Sequence, residues 1–147
     1  MIGYHIHEGM FEIDDGWTDG SMNMLSRPLP GGQQASLVIT REPREGDTLD
    51  AHVDAVLKKI KPQLPRFALK DRRGLEVAGH PAVAVTCQWR QSSIDLAQLL
   101  VFFELDVDAP APLRRVMTFT MTAPLSAETE ARGRLVAMLE SLKIRRI

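Results

Sequence analysis

The chain has 147 residues, with 18 lysines and arginines against 19 aspartates and glutamates, a formal net charge of −1, and only 5% aromatic residues. So close a balance sets up no overall field toward nucleic acid or an anionic membrane, and the isolated pairs Arg72-Arg73 and Arg114-Arg115 do not make the basic, aromatic-laced stripe of a nucleic-acid surface. A chain of this length buries roughly 70% of the surface it exposes when unfolded, so residues 1–147 are expected to form a single domain, and the single Cys87 excludes an internal disulfide.

In chain order, the opening Met1-Ile2-Gly3-Tyr4-His5 has neither a basic nor an apolar signal region, so no cleaved export signal is read and a cytoplasmic location is expected. Period-two alternation predicts strands over residues 11–13, 21–25 and 35–41, the last two flanking a Pro- and Gly-rich loop at 27–34. Leu49, Val53, Val56, Leu57 and Ile60 recur at helical spacing, which predicts an amphipathic helix from 48 to about 61, capped by Asp47 or Thr48 and ended by Pro62 and Pro65. Further strands are predicted over 81–91, 94–105 and 113–121, with Gln91-Ser92-Ser93 as a hairpin turn and 106–112 as a loop. A second helix runs from the N-cap Ser126 through Leu135, Val136, Leu139 and Leu142, with Lys143, Arg145 and Arg146 near its negative end. The longest apolar run, 99–103, is too short to cross a bilayer, so no direct membrane insertion is expected. The predicted fold class is α/β (α+β), a mostly antiparallel sheet of about six strands with two amphipathic helices.

Strand alternation divides the sheet into two faces. Ala97, Leu99, Val101, Phe103 and Leu105 read as core, with Leu37 and Ile39, with Val83, Val85, Cys87 and Trp89, and with Met117, Phe119 and Met121, all expected to face the helices. The other face is expected to hold Ser36, Val38, Thr40, Thr86, Gln88, Arg90, Leu96, Gln98, Leu100, Phe102, Glu104, Thr118 and Thr120, with Met22 and Met24. That mixture suits a binding surface, though a further layer or a second copy would also account for it.

No motif for catalysis appears. His5-x-His7 with Glu8 or Glu12 supplies too few ligands for a metal site, and Asp14-Asp15 and Asp106-x-Asp108 fall in turns where Asp bonds locally. There is no nucleophile elbow, P-loop or dinucleotide fingerprint, so the chain is not read as an enzyme and no cofactor is expected. Cys87 lies in an apolar run and reads as a buried thiol. Trp17 is expected to pin its loop to the core rather than to anchor an interface.

The run Tyr4-x-Ile6-His7-Glu8, Glu12-Ile13, Trp17-x-Asp19-x-Ser21-Met22-Asn23-Met24 and Ala35-Ser36-Leu37-Val38-Ile39 resembles the Eag chaperones of bacterial type VI secretion, within the DcrB-like group. Gln63-Leu64-Pro65-x-Phe67, Gly79-His80-x-Ala82 and Gln88-Trp89 extend the likeness over nearly the whole chain. The resemblance implies a PsbP-like α/β sandwich, a homodimer, and binding of the N-terminal transmembrane segment of a secreted PAAR- or Rhs-type effector before it loads onto the VgrG spike. It also implies a partner-binding set of Met22, Met24, Val38, Val56, Leu64, Gln98 and Leu100, in which Val56 and Leu100 stand where glutamines are expected and Gln98 can substitute. An immunity or structural protein binding a folded partner is the alternative reading.

Overall fold

The computed structural model describes residues 1–17, 20–105, 108–110 and 113–144. Asp19 of the N-terminal motif, Asp106 of the Asp106-x-Asp108 pair, and Arg145 and Arg146 after the second helix lie outside the described residues. The chain begins with a separate antiparallel hairpin of β1 (Ile2–Ile6) and β2 (Gly9–Ile13). Then come β3 (Met22–Pro28), β4 (Gln34–Pro43), α1 (Leu49–Ile60), β5 (Ala68–Val77), β6 (His80–Gln91), β7 (Ile94–Glu104), β8 (Arg115–Pro124) and α2 (Glu128–Ser141). Strands β3 to β8 make one six-stranded sheet in the order β3-β4-β8-β7-β6-β5, with every neighbouring pair antiparallel. The α+β class, the six-stranded sheet and the two helices agree with the reading from sequence, although the hairpin strand β1 and the edge strand β5 were not anticipated.

The register assigns side chains to faces. Val83 opposes Phe102, Val85 opposes Leu100, and Cys87 opposes Gln98. Directly paired residues share a face, so the valines of β6 lie with Leu100 and Phe102 and not with Leu99 and Phe103. This corrects the expectation that they share one core with Leu99 and Phe103. The helices divide accordingly. Val53 of α1 packs with Val83, Val85, Cys87, Leu100, Phe102 and Val116, and Leu49, Val56 and Leu57 lie against the same cluster. Ala131, Leu135 and Leu139 of α2, spaced one turn apart, pack with Leu37, Leu99, Val101, Phe103, Phe119 and Met121 on the opposite face. The domain is therefore three layers, α1 over sheet over α2, with two cores instead of one.

Local chemistry fixes each helix. The Thr48 side chain accepts the Ala51 backbone N–H at 3.0 Å, which starts α1 as predicted. Ser126 does not cap α2. It sits in a 3-10 turn spanning Leu125–Ala127, and α2 starts after Ala127 without a side-chain cap. Trp17 is also not pinned to the core. It is 72% exposed, and its indole N–H donates to Asp14 Oδ1 at 2.7 Å. Among the described residues, no helix is long and apolar enough to cross a membrane.

Candidate functional site

Helix α1 lies over β6, β7 and the start of β8 at Val116, while Met22, Met24, Val38, Thr120 and Thr122 on β3, β4 and the rest of β8 are not part of the cluster beneath it. The register lays out this part of the face row by row. Met22 opposes Thr40, which opposes Thr118 and then Phe102. Met24 opposes Val38, Thr120 and Leu100 in turn, and Ser26 opposes Ser36, Thr122 and Gln98. With strands about 4.8 Å apart, these three strands span roughly 10 Å, the width of one α-helix. The result is a trough with α1 as one wall and the methionine-bearing edge strand on the other side. None of the residues in these three rows is ionisable.

Most of the residues expected to bind a partner fall on this trough. Met22 and Met24 are 56% and 71% exposed, and Val38 and Gln98 are half-buried in its floor. Val56 is half-buried on α1 against the core beneath the helix, and half-buried Leu64 takes an extended conformation just past the 3-10 turn Lys61–Gln63. The carbonyl of Pro65 accepts the Arg90 N–H at 2.9 Å, which ties this segment to the far end of β6. Leu100 differs from the rest. At 4% exposure it is buried beneath α1, so it supports the floor from below and presents little surface to a ligand.

Ser36, Thr40, Thr118 and Thr120 were legible as part of the mixed face read as a binding surface, whereas Ser26 and Thr122 lie one residue past the predicted strands and were missed. Gln98 Nε2 donates to Thr122 Oγ1 at 3.4 Å, and Gln98 Oε1 lies 3.8 Å from the Cys87 thiol. Burial pushes that thiol up to about 11, so Cys87 stays protonated and unreactive at neutral pH. Trp89 Nε1 and Thr118 Oγ1 on the same face are buried with no hydrogen-bond partner among the described residues. The trough thus offers apolar flanks and a floor of hydroxyls and one amide.

Three contacts hold the α1 wall in place. Arg72 on β5 bonds Asp54 Oδ1 at 2.5 Å and Asp50 Oδ1 at 3.0 Å, clamping the outer side of the helix. The fully buried His52 accepts the Glu45 N–H on Nδ1 at 2.9 Å, so its proton is on Nε2, 3.6 Å from Glu42 Oε1. Burial lowers the His52 pKa against the opposing pull of Glu42 and Glu45. Gly46 turns at φ +76, and a Cβ there would lie 2.8 Å from Ala51 Cβ, so only glycine lets this loop close on the helix. His5, His7 and Glu8 belong to the separate β1–β2 hairpin, and among the described residues no group of three or more His, Cys, Asp or Glu is placed to hold a metal ion.

Comparison with known proteins agrees with this architecture. Residues 8–141 match the DcrB family. The chain is 37% identical over 122 residues to Effector EagT6 of Pseudomonas aeruginosa, covering 82% of this chain and 83% of that protein, which bears out the Eag-type likeness seen in the motifs. The crystal structure of the Pseudomonas aeruginosa protein PA94 superposes with a TM-score of 0.79 at 30% identity, over 100% of this chain and 99% of that one. LpqN of Mycobacterium tuberculosis, involved in cell envelope biogenesis, superposes with a TM-score of 0.57 over 84% of each chain, and at 11% identity that likeness shows the fold alone.

Proposed function

Since this chain belongs to the DcrB family and is related to EagT6, we propose that it is a chaperone or adaptor of type VI secretion. It binds the N-terminal transmembrane helices of a secreted effector of the PAAR or Rhs type, shields them from water, and hands the effector to the VgrG spike. In this reading it acts without catalysis, in the cytoplasm, as a homodimer.

The observation that carries the reading is the helix-wide, uncharged trough beside α1, with Met22 and Met24 on its rim and Val38, Thr120, Thr122 and Gln98 in its floor. A transmembrane helix in water exposes apolar surface on every side and aggregates. Laid beside α1, it exchanges that water for side chains. Methionine suits the rim because its unbranched thioether adapts to varied apolar shapes. The floor hydroxyls and amide meet small or polar client residues, which allow close approach and hydrogen bonding between packed segments. Anchors at i, i+3 and i+4 on the client would contact the trough in the helix-in-groove mode.

The test is capture of a roughly 20-residue apolar helix fused to a soluble carrier, by the wild-type chain and by Met22→Glu/Met24→Glu. Capture by the wild type and its loss in the folded double variant support the reading. Equal capture by both would remove the trough from the mechanism.

A further inference from the structure

The trough is uncharged along its three rows, but its two ends differ. One row beyond Thr40 and Thr118, Glu42 stands on the same face opposite Val116, which in turn opposes Glu104. Arg44 neutralises Glu104, and Lys59 of α1 neutralises Glu45. The Lys59 pKa is raised chiefly by its hydrogen bond to Glu45, with Glu42 a weaker pull, so this cation belongs to Glu45. Arg41 and Arg115 are in register with Met117 and Pro43, on the opposite face of the sheet.

Glu42 is therefore left without a cation. Its side chain is 47% exposed and lies 3.6 Å from Nε2 of the buried His52, which among the described residues is its one ion-pair contact. Burial lowers the His52 pKa, so the ring is neutral at pH 7 and leaves the charge of Glu42 in place. Three carboxylates, Glu42, Glu45 and Glu104, against the two cations Arg44 and Lys59 give this mouth of the trough one net negative charge.

The far end has the opposite character. Ser26, Ser36, Thr122 and Gln98 make its last described row, and none of them is charged. Exposed Lys61 and Arg66 follow in the segment after α1. Pro65 of that segment is bonded to Arg90 at the end of β6, and the alternating strand directions put that end away from Glu42. The eight residue steps from Gln34 to Glu42 on β4 cover about 27 Å, the rise of about 18 helical residues. One helix of membrane-spanning length thus reaches from one end to the other.

Such a helix can lie in two directions. Its N-terminus carries about half a positive charge and four unpaired N–H groups, and its C-terminus carries the reverse. With the N-terminus at Glu42, the carboxylate meets those N–H groups and any Lys or Arg that precedes the helix. The floor hydroxyls, Lys61 and Arg66 then meet the carbonyl end. In the reverse direction each end meets its own sign. The positive end of α1 also lies near Glu42, but it is already met by the Thr48 cap and by Asp50 in the first turn.

We propose that Glu42 sets the direction and the flank preference of the client: the apolar helix lies parallel to α1 with its N-terminus at Glu42, and a helix preceded by Lys or Arg is preferred over one followed by them. The inference rests on the reading of the trough as the client site.

The experiment uses two carrier-fused helices with the same apolar core of about 20 residues, one preceded and one followed by a pair of lysines. Capture of each is measured for the wild type, Glu42→Gln and Glu42→Lys at low and high salt. Ion pairing and the helix dipole together predict that the wild type holds the lysine-preceded helix about three- to thirtyfold more tightly. The ratio should shrink in Glu42→Gln, invert in Glu42→Lys and narrow at high salt. A second measurement leaves Glu42 intact. Thr40→Cys, in the floor beside Glu42, should form a disulfide with a cysteine at the first residue of the client helix and not with one at the last. Buried Cys87, its thiol pushed up to about 11, does not compete. Equal capture of the two helices by the wild type, an unchanged ratio in folded Glu42→Lys, or crosslinking to the last residue overturns the direction and leaves the trough reading standing. Capture of neither helix by the wild type overturns the trough reading, and this inference with it.

Discussion

Met24 on the edge strand stands directly opposite Val38, and Val38 stands directly opposite Thr120, so one row of the sheet passes from an exposed thioether to a half-buried hydroxyl without a charge. Under the proposed function, an apolar helix would lie beside α1 with its least polar side toward this rim. Met22→Glu/Met24→Glu should therefore leave the thermal midpoint within a few degrees of wild type, because both side chains are mostly in water already. Helix capture by that variant should be lost, as read by co-purification.

The link between Gln98 and Thr122 predicts selectivity in the floor. Gln98→Leu removes an amide that a client hydroxyl can reach, and interhelical hydrogen bonds in apolar surroundings contribute roughly 0.6 to 2 kcal/mol. Capture of a helix carrying Ser or Thr at its centre should weaken by about three- to thirtyfold. Capture of an otherwise identical Ala/Leu helix should be unchanged or tighter. Competition between the two carrier-fused helices gives the ratio directly.

The division into strands and helices was largely legible in the sequence, and the assignment of faces was not. Alternation identifies a strand with one polar side, but β6 and β7 are covered on both faces near α1, and both of their side-chain sets are apolar there. Val83 and Leu99 thus look alike in sequence and end up in different cores. Strand β5 escaped notice because Lys70, Asp71, Arg72 and Arg73 hide any pattern and a register shift between Leu69 and Asp71 interrupts its pairing. Met22 and Met24 on the edge strand, and Val38 beside them on β4, were legible as outward-facing because their strands alternate simply. The burial of Leu100 depended on where α1 lands, which no local pattern encodes.

His52 gives the fold a pH dependence of definite sign. Its folded pKa is depressed by burial, so between that value and the ordinary histidine range the unfolded chain binds more protons than the folded one. The contribution is complete above about pH 6.5 and is lost as pH falls toward the folded pKa, with a slope of at most about 1.4 kcal/mol per pH unit. Urea unfolding at pH 7.5 and pH 5.5 should show wild type losing more stability than His52→Gln over that interval. Protonation at Nδ1 also removes the acceptor of the Glu45 N–H, so the protection factor of the Glu45 amide, measured against its intrinsic rate at each pH, should fall over the same range.

Arg44 and Glu104 form a 2.7 Å ion pair with side chains only 4% and 14% exposed, at the point where β4 turns toward α1. Removing one buried partner strands the other charge, which typically costs about 3 kcal/mol or more. Glu104→Gln should lower the unfolding free energy by about that amount, with little dependence on salt because the pair is shielded from solvent ions. Chemical denaturation at low and high salt measures both quantities.

The central claim is that this chain keeps an effector's transmembrane segment soluble. The most direct measurement is co-expression with the N-terminal segment of an effector that carries candidate helices of about 20 apolar residues each, followed by affinity capture and mass determination of the complex. The account predicts a soluble complex of fixed stoichiometry that forms with wild type and not with Met22→Glu/Met24→Glu. An aggregated segment beside a free, folded chain would contradict it.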